Sequence, residues 1–224
     1  RIKKDVLLEL PPKIETTQLC ELDTDQKRLY QSQLEVAKKE IENEIKNEKL
    51  SRSQIKIFSL LTRLRQICCH PKLFIDNYAH SSGKFETLFE LFDDLISGNH
   101  KTLVFSQFTT MLKLISGELK KKGIEHFYLD GSMKARDRLE LVNSFNAGNT
   151  PIFLISLKAG GTGLNLTGSD TVIHVDPWWN PSVENQASDR SHRIGQKNSV
   201  QVIKLITKGT IEEKIMKLQN KKKK

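Results

Sequence analysis

A parallel β-sheet covered by helices on both faces, entered through a helical hairpin, is the fold class that this sequence predicts. Three observations carry it. From Lys84 onward, short β-branched or aromatic runs alternate with helical ones, the pattern of an α/β sheet. Before Pro71, two long stretches have helical periodicity with an apolar stripe on one face. Between these regions, residues 76–83 (Asp-Asn-Tyr-Ala-His-Ser-Ser-Gly) have the composition of a linker. The 224 residues suffice for one α/β core with an appendage, or for two small domains.

Residues 1–22 read as extended. Leu7, Leu8 and Leu10 run into Pro11-Pro12, which stops a helix, and Ile14, Leu19 and Leu22 then suggest a strand or an ordered strap. A long helix begins at Asp23, with Thr24 or Asp23 as its cap. Tyr30, Leu34, Ala37, Ile41 and Ile45 fall on one face of it. A stripe so narrow on a helix so long implies a projecting antiparallel pair. The second helix carries a denser face of Ile57, Leu60, Leu61, Leu64, Ile67 and Cys68, and Pro71 ends it. A helix over 84–97 then presents Phe85, Leu88, Phe89, Leu91, Phe92 and Leu95. Strands are predicted at Thr102–Ser106, His126–Leu129, Ile152–Ser156, Thr171–Val175 and Val200–Leu205, with helices between the first three. The last helix starts near Thr210, where Thr210 and Glu213 have the spacing of a capping box.

Composition narrows the function classes. No apolar run approaches the roughly 18 residues that span a bilayer, and no signal-peptide core follows Arg1, so a cytoplasmic or nuclear location and no membrane partner are expected. The net charge of +9 points to an acidic partner, of which nucleic acid is the usual one. Lys221 to Lys224 supply part of that charge, and the run equally suits a tail or a solvated helix end. The three cysteines, Cys20, Cys68 and Cys69, are odd in number and two are adjacent, which argues against a disulfide framework and for a reducing compartment. Cys68-Cys69-His70 lacks the four spaced ligands of a zinc site and fits a helix core; no metal site is expected.

Ligands of parallel sheets bind at the carboxyl ends of the strands, so the segments after the strands are where chemistry is expected. Three stand out. Lys158-Ala-Gly160-Gly161-Thr162-Gly163-Leu-Asn165 can bring bare N–H groups to a phosphate, or simply form a tight turn. In Asp176-Pro177-Trp178-Trp179-Asn180-Pro181, one ring suits packing under the loop, and the other suits a sugar–phosphate strand or the loop's own backbone. In the string from Gln186 to Gln196, Arg190 and Arg193 would share a helix face. There they could clamp a triphosphate with planar, permanently charged forks, or pair with Asp189 or Glu184. The sequence holds no Gly-x-x-x-x-Gly-Lys-Ser/Thr loop and no strand ending in Asp-Glu, so it offers one side of a phosphoryl-transfer site without the cradle.

These strings resemble the C-terminal motifs of the Swi/Snf family within helicase superfamily two. Thr102 to Phe108 resembles motif IV, Leu129-Asp-Gly-Ser132 followed by Arg138 resembles motif IVa, Ser156 to Asn165 motif V, and Gln186 to Gln196 motif VI. The Trp-Asn-Pro string and the ending Arg193-Ile-Gly-Gln196 are the family-specific parts. Upstream, Lys3-Lys-Asp-Val6 with Leu10 to Lys13 resembles the crossover between lobes. Leu64 to Pro71 resembles the end of the family's helical protrusion, and Ser82-Gly-Lys84 the entry into the lobe. Thr162 and Pro177 are mild departures.

The resemblance implies a RecA-like C-terminal lobe over 84–207, after a crossover segment (1–22) and a helical protrusion with linker (23–83), and before the start of a brace helix (208–224). It implies Arg190 and Arg193 as arginine fingers toward the γ-phosphate of ATP, whose Mg²⁺ and remaining contacts belong mainly to an N-terminal RecA-like lobe. Gln186 would couple nucleotide to closure, and Gly161 and Gly163 would shape the loop between nucleotide and DNA. Ser106, Gln107, Gly131, Ser132, Ser156, Lys158 and Trp179 would face double-stranded DNA. The implied activity is DNA-stimulated, ATP-dependent translocation on duplex DNA, acting on nucleosomes or other DNA-bound proteins, with this lobe alone inactive in hydrolysis. A non-catalytic docking module derived from such a lobe is the alternative. The implied location is the nucleoid in a bacterium and the nucleus in a eukaryote.

Overall fold

The computed structural model describes residues 10–46, 50–160 and 163–222. Six parallel strands form one sheet in the order β1-β6-β5-β2-β4-β3: β1 is Lys13–Cys20, β2 Thr102–Ser106, β3 His126–Leu129, β4 Ile152–Ser156, β5 Thr171–His174 and β6 Val200–Thr207. The α/β class and parallel sheet are as expected. The expected strand at 171–175 ends one residue earlier, and β6 runs two residues past Leu205. The sixth strand, β1, comes from the segment expected to cross between lobes. It pairs with β6 from Lys13↔Val200 to Cys20↔Thr207, yet Ile14 and Leu19 stay about half exposed.

Strand alternation splits the core into two layers. Val104, Ile152, Leu154, Ile173, Ile203 and Leu205 point to one face, covered by α3 (Gly83–Ser97) and α4 (Thr109–Lys121). Leu103, Phe105, Phe153, Ile155, Val172 and Val202 point to the other, covered by α5 (Ala135–Ala147), α6 (Leu157–Gly160) and α7 (Pro181–Ser188). Among the described residues no helix is long and apolar enough to cross a membrane.

The hairpin is α1 (Thr24–Lys46) against α2 (Leu50–Cys69). The pair is antiparallel: Gln26 Nε2 donates to Ile67 O at 2.8 Å near one end, and Lys56 meets Glu44 at 2.9 Å near the other. Tyr30 and Ala37 are buried against Leu60, Leu64, Ile67 and Cys68, with Leu34 and Ile41 half-buried beside them. The side chain of Ile45, also assigned to the stripe, lies outside the described residues. Asp23 caps α1 by a reciprocal pair, Gln26 N–H to Asp23 Oδ1 at 2.7 Å and Asp23 N–H to Gln26 Oε1 at 3.3 Å. Cys68 and Cys69 are fully buried and burial pushes both thiols up. The His70 ring accepts the Lys72 N–H at 3.1 Å, and burial, with Lys72 adding to it, lowers its pKa to about 4.

The segment at 76–83 ends pinned rather than loose. Ser82 caps α3 by accepting the Phe85 N–H at 3.2 Å, and its hydroxyl donates to Cys69 O at 2.7 Å. Gly83 packs so closely on the residue after β1 that a Cβ there would stand 1.9 Å from Glu21 O. Gly83→Ala should therefore destabilise the fold by about 1–3 kcal/mol, the usual cost of forcing atoms into a filled space. Chemical denaturation of the two proteins measures this.

The closing helix α8 (Ile211–Lys222) starts differently from expectation. Thr210 is in place, but Glu212 rather than Glu213 supplies the carboxylate. Glu212 turns inward, accepts the Thr207 N–H at 2.7 Å, and binds the Lys84 ammonium through both oxygens at 2.7 and 2.6 Å. An acid one position earlier faces the core, where a buried lysine needs a counter-charge.

Candidate functional site

The two arginines sit on a turn, not on a helix. α7 has Pro181 as its first residue, after Asn180, whose side chain accepts the Ser182 N–H at 3.0 Å, and it stops at Ser188. Hydroxyls end it: Ser188 Oγ bonds back to Glu184 O at 3.1 Å and meets His174 Nε2 at 2.8 Å, while Ser191 Oγ donates to Ser169 O at 2.6 Å. Gln196 Nε2 closes the turn on Ser169 O at 2.8 Å and Ser191 O at 3.0 Å, and Gly195 supplies a φ of 100°. The helix face expected to align Arg190 with Arg193 is thus replaced by successive turns, and the turns bring both to one cleft.

That cleft has a volume of about 550 Å³, with Gln186, Arg190, Arg193, Asn165 and Leu10 among its lining residues. Arg190 is 4% exposed and donates from Nε to Gly160 O at 3.0 Å. Burial lowers its pKa, Arg193 adds to that, and Asp189 opposes it. Arg193 is exposed and reaches Leu164 O at 3.4 Å. The segment before β1 closes one side: His192 Nε2 meets Pro11 O at 2.6 Å, and Lys13 meets Asp189 at 3.6 Å. The turn therefore lies beside the amino ends of β1 and β6 and not at the carboxyl edge, where ligands of parallel sheets are expected.

The glycine loop links the two edges. Ser156 is buried and its hydroxyl accepts the Ala159 N–H at 3.3 Å, turning the chain into α6, on which Lys158 is exposed. Gly160 needs its missing side chain, because a Cβ would come within 2.7 Å of Phe105. Gly161 and Thr162 lie outside the described residues. Gly163 has a φ of 52° and borders a second cleft of about 450 Å³, which shares Asn165 with the first.

The other expected residues follow β5, β2, β4 and β3 at the carboxyl edge of the sheet. Asp176 organises the first group. It is buried, accepts from Ser106 Oγ at 2.5 Å and from Gln107 N–H at 3.3 Å, and takes Arg65 Nη2 at 3.2 Å. Trp178 is half-buried in the core beside α7, its N–H donating to Glu184 at 2.6 Å. Trp179 is half-buried as well. After β3, Ser132 is exposed and donates through both N–H and hydroxyl to Asp130 (2.9 and 2.6 Å), bonds that lower the Asp130 pKa. Arg138 braces this loop, donating to Met133 O at 3.1 Å and Gly131 O at 3.4 Å. The hydroxyls of Ser106 and Ser156 are thus engaged within the protein, whereas Lys158, Gly131 and Ser132 are exposed.

Comparison with known proteins bears on this arrangement. The family described as helicase conserved C-terminal domain matches residues 83–195, and the SNF2-related domain matches residues 1–73. The structure of the Sulfolobus solfataricus SWI2/SNF2 ATPase C-terminal domain superposes with a TM-score of 0.78 at 32% identity, covering 94% of this chain and 86% of that one. The chain belongs to the SWI2/SNF2 family. It corresponds to the C-terminal RecA-like lobe of that family. The S. solfataricus SWI2/SNF2 ATPase core in complex with dsDNA gives a TM-score of 0.80 at 33% identity, over 97% of this chain and 46% of that chain. A Bacillus subtilis relative named putative ATP-dependent helicase/translocase YwqA is 41% identical over 223 residues, 96% of this chain and 24% of that protein. This SWI2/SNF2 lobe spans between 14% and 24% of the length of these curated relatives.

Other residues organise the SWI2/SNF2 lobe, and Arg65, Lys204 and Gln219 among them were not singled out in the sequence. Arg65 and Asp176 join the hairpin to the tryptophan loop. Glu184 ties that loop to Lys204 on β6 (2.8 Å) and Gln219 on α8 (2.8 Å), and Gln219 Nε2 also bonds Trp178 O. Burial would raise the Glu184 pKa, but His174 and Lys204 outweigh it and lower it. The available signal was slight: an arginine set in a dense apolar helix face, and an acid directly after a strand. Among the described residues no three His, Cys, Asp or Glu side chains are grouped so as to hold a metal ion.

Proposed function

We propose that this chain is the second motor lobe of an ATP-driven translocase on double-stranded DNA, and that it completes a nucleotide site begun by an N-terminal RecA-like lobe. The observation that carries this is the convergence of Arg190, Arg193 and Gln186 on one open cleft. Two guanidinium groups there suit the oxygens of a triphosphate. Arg190 is desolvated and held by Gly160 O, so its position is fixed before a phosphate arrives. Arg193 is exposed and weakly held, so it is free to reorient toward one. ATP bound with Mg²⁺ supplies a γ-phosphoryl group whose transfer to water releases the free energy for movement.

Lys158, Trp179, Gln107, Gly131 and Ser132 form the strand-facing edge, and Ser106 and Ser156 act behind it by fixing the turns that present them. Contacts of this kind go to phosphates and sugars, so they position the strand and carry little sequence information. Of the segment that resembles the interlobe crossover, β1 joins the sheet of this lobe and the chain before it leads in from the first lobe; 23–83 protrude, 84–207 supply the rest of the motor lobe and 208–224 begin the brace. The likeness to the B. subtilis protein named putative ATP-dependent helicase/translocase YwqA and to the S. solfataricus SWI2/SNF2 ATPase core in complex with dsDNA supports this reading. Nucleosomes or other DNA-bound proteins are the proposed obstacles.

The purified 224-residue chain should bind duplex DNA weakly and turn over no ATP. Its affinity should fall about tenfold or more between 50 and 200 mM salt, because displaced counterions dominate such binding. ATP hydrolysis by this chain alone would overturn the half-site reading, and a salt-independent affinity would overturn the DNA-facing edge. In the full-length protein, duplex DNA should stimulate hydrolysis more than RNA does. Duplex binding without any stimulated hydrolysis would instead favour a docking module.

A further inference from the structure

Arg65 lies in the last turns of α2, yet its side chain leaves the hairpin and enters the lobe. It is 1% exposed. Nη2 donates to Pro177 O at 2.7 Å and to Asp176 Oδ2 at 3.2 Å. Its guanidinium lies 5.4 Å from the Phe108 ring centroid, 5.3 Å from Trp178 and 5.7 Å from Trp179. Cation–π attraction of this kind strengthens when the cation is desolvated, as here. The same Asp176 carboxylate accepts from Ser106 and from the Gln107 N–H. One side chain from the hairpin therefore touches both loops that follow β5 and β2.

A buried guanidinium is a poor choice for packing alone. An apolar side chain of similar volume fills such space without the cost of desolvating a charge. What the fork supplies is direction: it holds a carbonyl and a carboxylate at once, with three aromatic rings close to the same guanidinium. Its Nε has no hydrogen-bond partner, so the geometry serves the loop contacts rather than full satisfaction of the arginine.

We propose that Arg65 is a positioning residue for the Trp178–Trp179 loop, and that it ties the setting of that loop and of the Gln107–Phe108 turn to the helical hairpin. Displacing α2 then moves the tryptophans, and a ligand that moves the tryptophans is felt by the hairpin. The latch itself stands on contacts within the chain. Its consequence for DNA rests on the strand-facing role proposed above for Gln107 and Trp179.

The chain has two tryptophans, and both flank Arg65, so intrinsic fluorescence reports on the latch alone. The experiment compares the chain with Arg65→Lys, Arg65→Met and the double variant Arg65→Met/Asp176→Asn, which leaves no carboxylate unpaired. In the folded state, the Met variants should show red-shifted emission and faster acrylamide quenching, and Arg65→Lys should fall between them and the parent. The affinity for a fluorescein-labelled 20-base-pair duplex should weaken in step by about fivefold or more, equivalent to roughly 1 kcal/mol of lost binding. A residue that only stabilises the fold would lower the melting temperature without moving the folded-state emission, and that result in the double variant overturns the proposal. Altered emission with unchanged duplex affinity supports the latch and counts against the strand-facing role of the loop.

Discussion

Replacing Arg193 with alanine in the full-length protein is expected to lower DNA-stimulated ATP hydrolysis by about 10³-fold or more, the usual worth of an arginine that meets a transferring phosphoryl group. Duplex affinity should move little, because Arg193 lies on the turn beside the amino ends of the sheet and not on the carboxyl edge. Arg193 is the cleaner of the two arginines to test. It is exposed, and its contact to Leu164 O at 3.4 Å is weak, so removing it leaves no buried group without a partner. Arg190 differs, since its Nε bond to Gly160 O and its burial make alanine there a change to the loop as well as to the charge. Steady-state hydrolysis with and without duplex, beside a binding titration, checks this. Hydrolysis that survives Arg193→Ala would remove the residue from the nucleotide site.

The second large effect is on stability. Lys84→Met should cost about 3–5 kcal/mol, because Glu212 would remain buried without its counter-charge. For a domain of this size each kcal/mol lowers the melting temperature by roughly 2–4 °C, so the midpoint should fall by about 6–20 °C. The geometry accounts for the size. Neither side chain has any exposure, and Lys84 Nζ also donates to Val175 O at 2.8 Å. Burial alone would lower the Lys84 pKa, but Glu212 outweighs burial and the net direction is upward. A lysine raised in the folded state contributes stability that is complete below its unfolded pKa and lost as pH rises through the folded one. The contribution is therefore constant across neutral pH and fades only in strong alkali. Lys84→Met/Glu212→Gln should recover part of the loss, since it leaves no unpaired charge. A single variant that melts with the parent would show that the pair is not needed to hold α8 against α3.

What could be read from the sequence followed from burial. Strands β2, β4 and β5 are buried along their whole length and the edge strand β3 is half-buried, so they appear as short runs rich in apolar residues, and their limits were legible to within a residue. β1 was ambiguous for the opposite reason: Ile14 and Leu19 remain half exposed, and pairing with β6 rather than burial makes the segment a strand. The closeness of Arg190 to Arg193 was legible, but its cause was not. A three-residue spacing suits a helix, whereas α7 stops at Ser188, and the Ser169–Ser191 hydroxyl pair and Gln196 hold the turns that follow. Glu212 and Glu213 are alike in sequence, and only the buried Lys84, 128 residues away, distinguishes them. Arg65 was hidden in the same way, since its partners Asp176 and Pro177 are 111 and 112 residues distant.

The pairing of β1 has a mechanical consequence. The backbone enters at Leu10, passes His192 at Pro11, and at once joins eight paired positions running parallel to β6. A tug on the incoming backbone along the strand axis loads this ladder in shear, so its hydrogen bonds resist together instead of unzipping one by one. The first groups to feel such a pull are the Pro11 carbonyl and the Lys13 ammonium, both fastened to the arginine turn. Tension arriving from upstream would reach Arg190 and Arg193 before it disturbed the sheet.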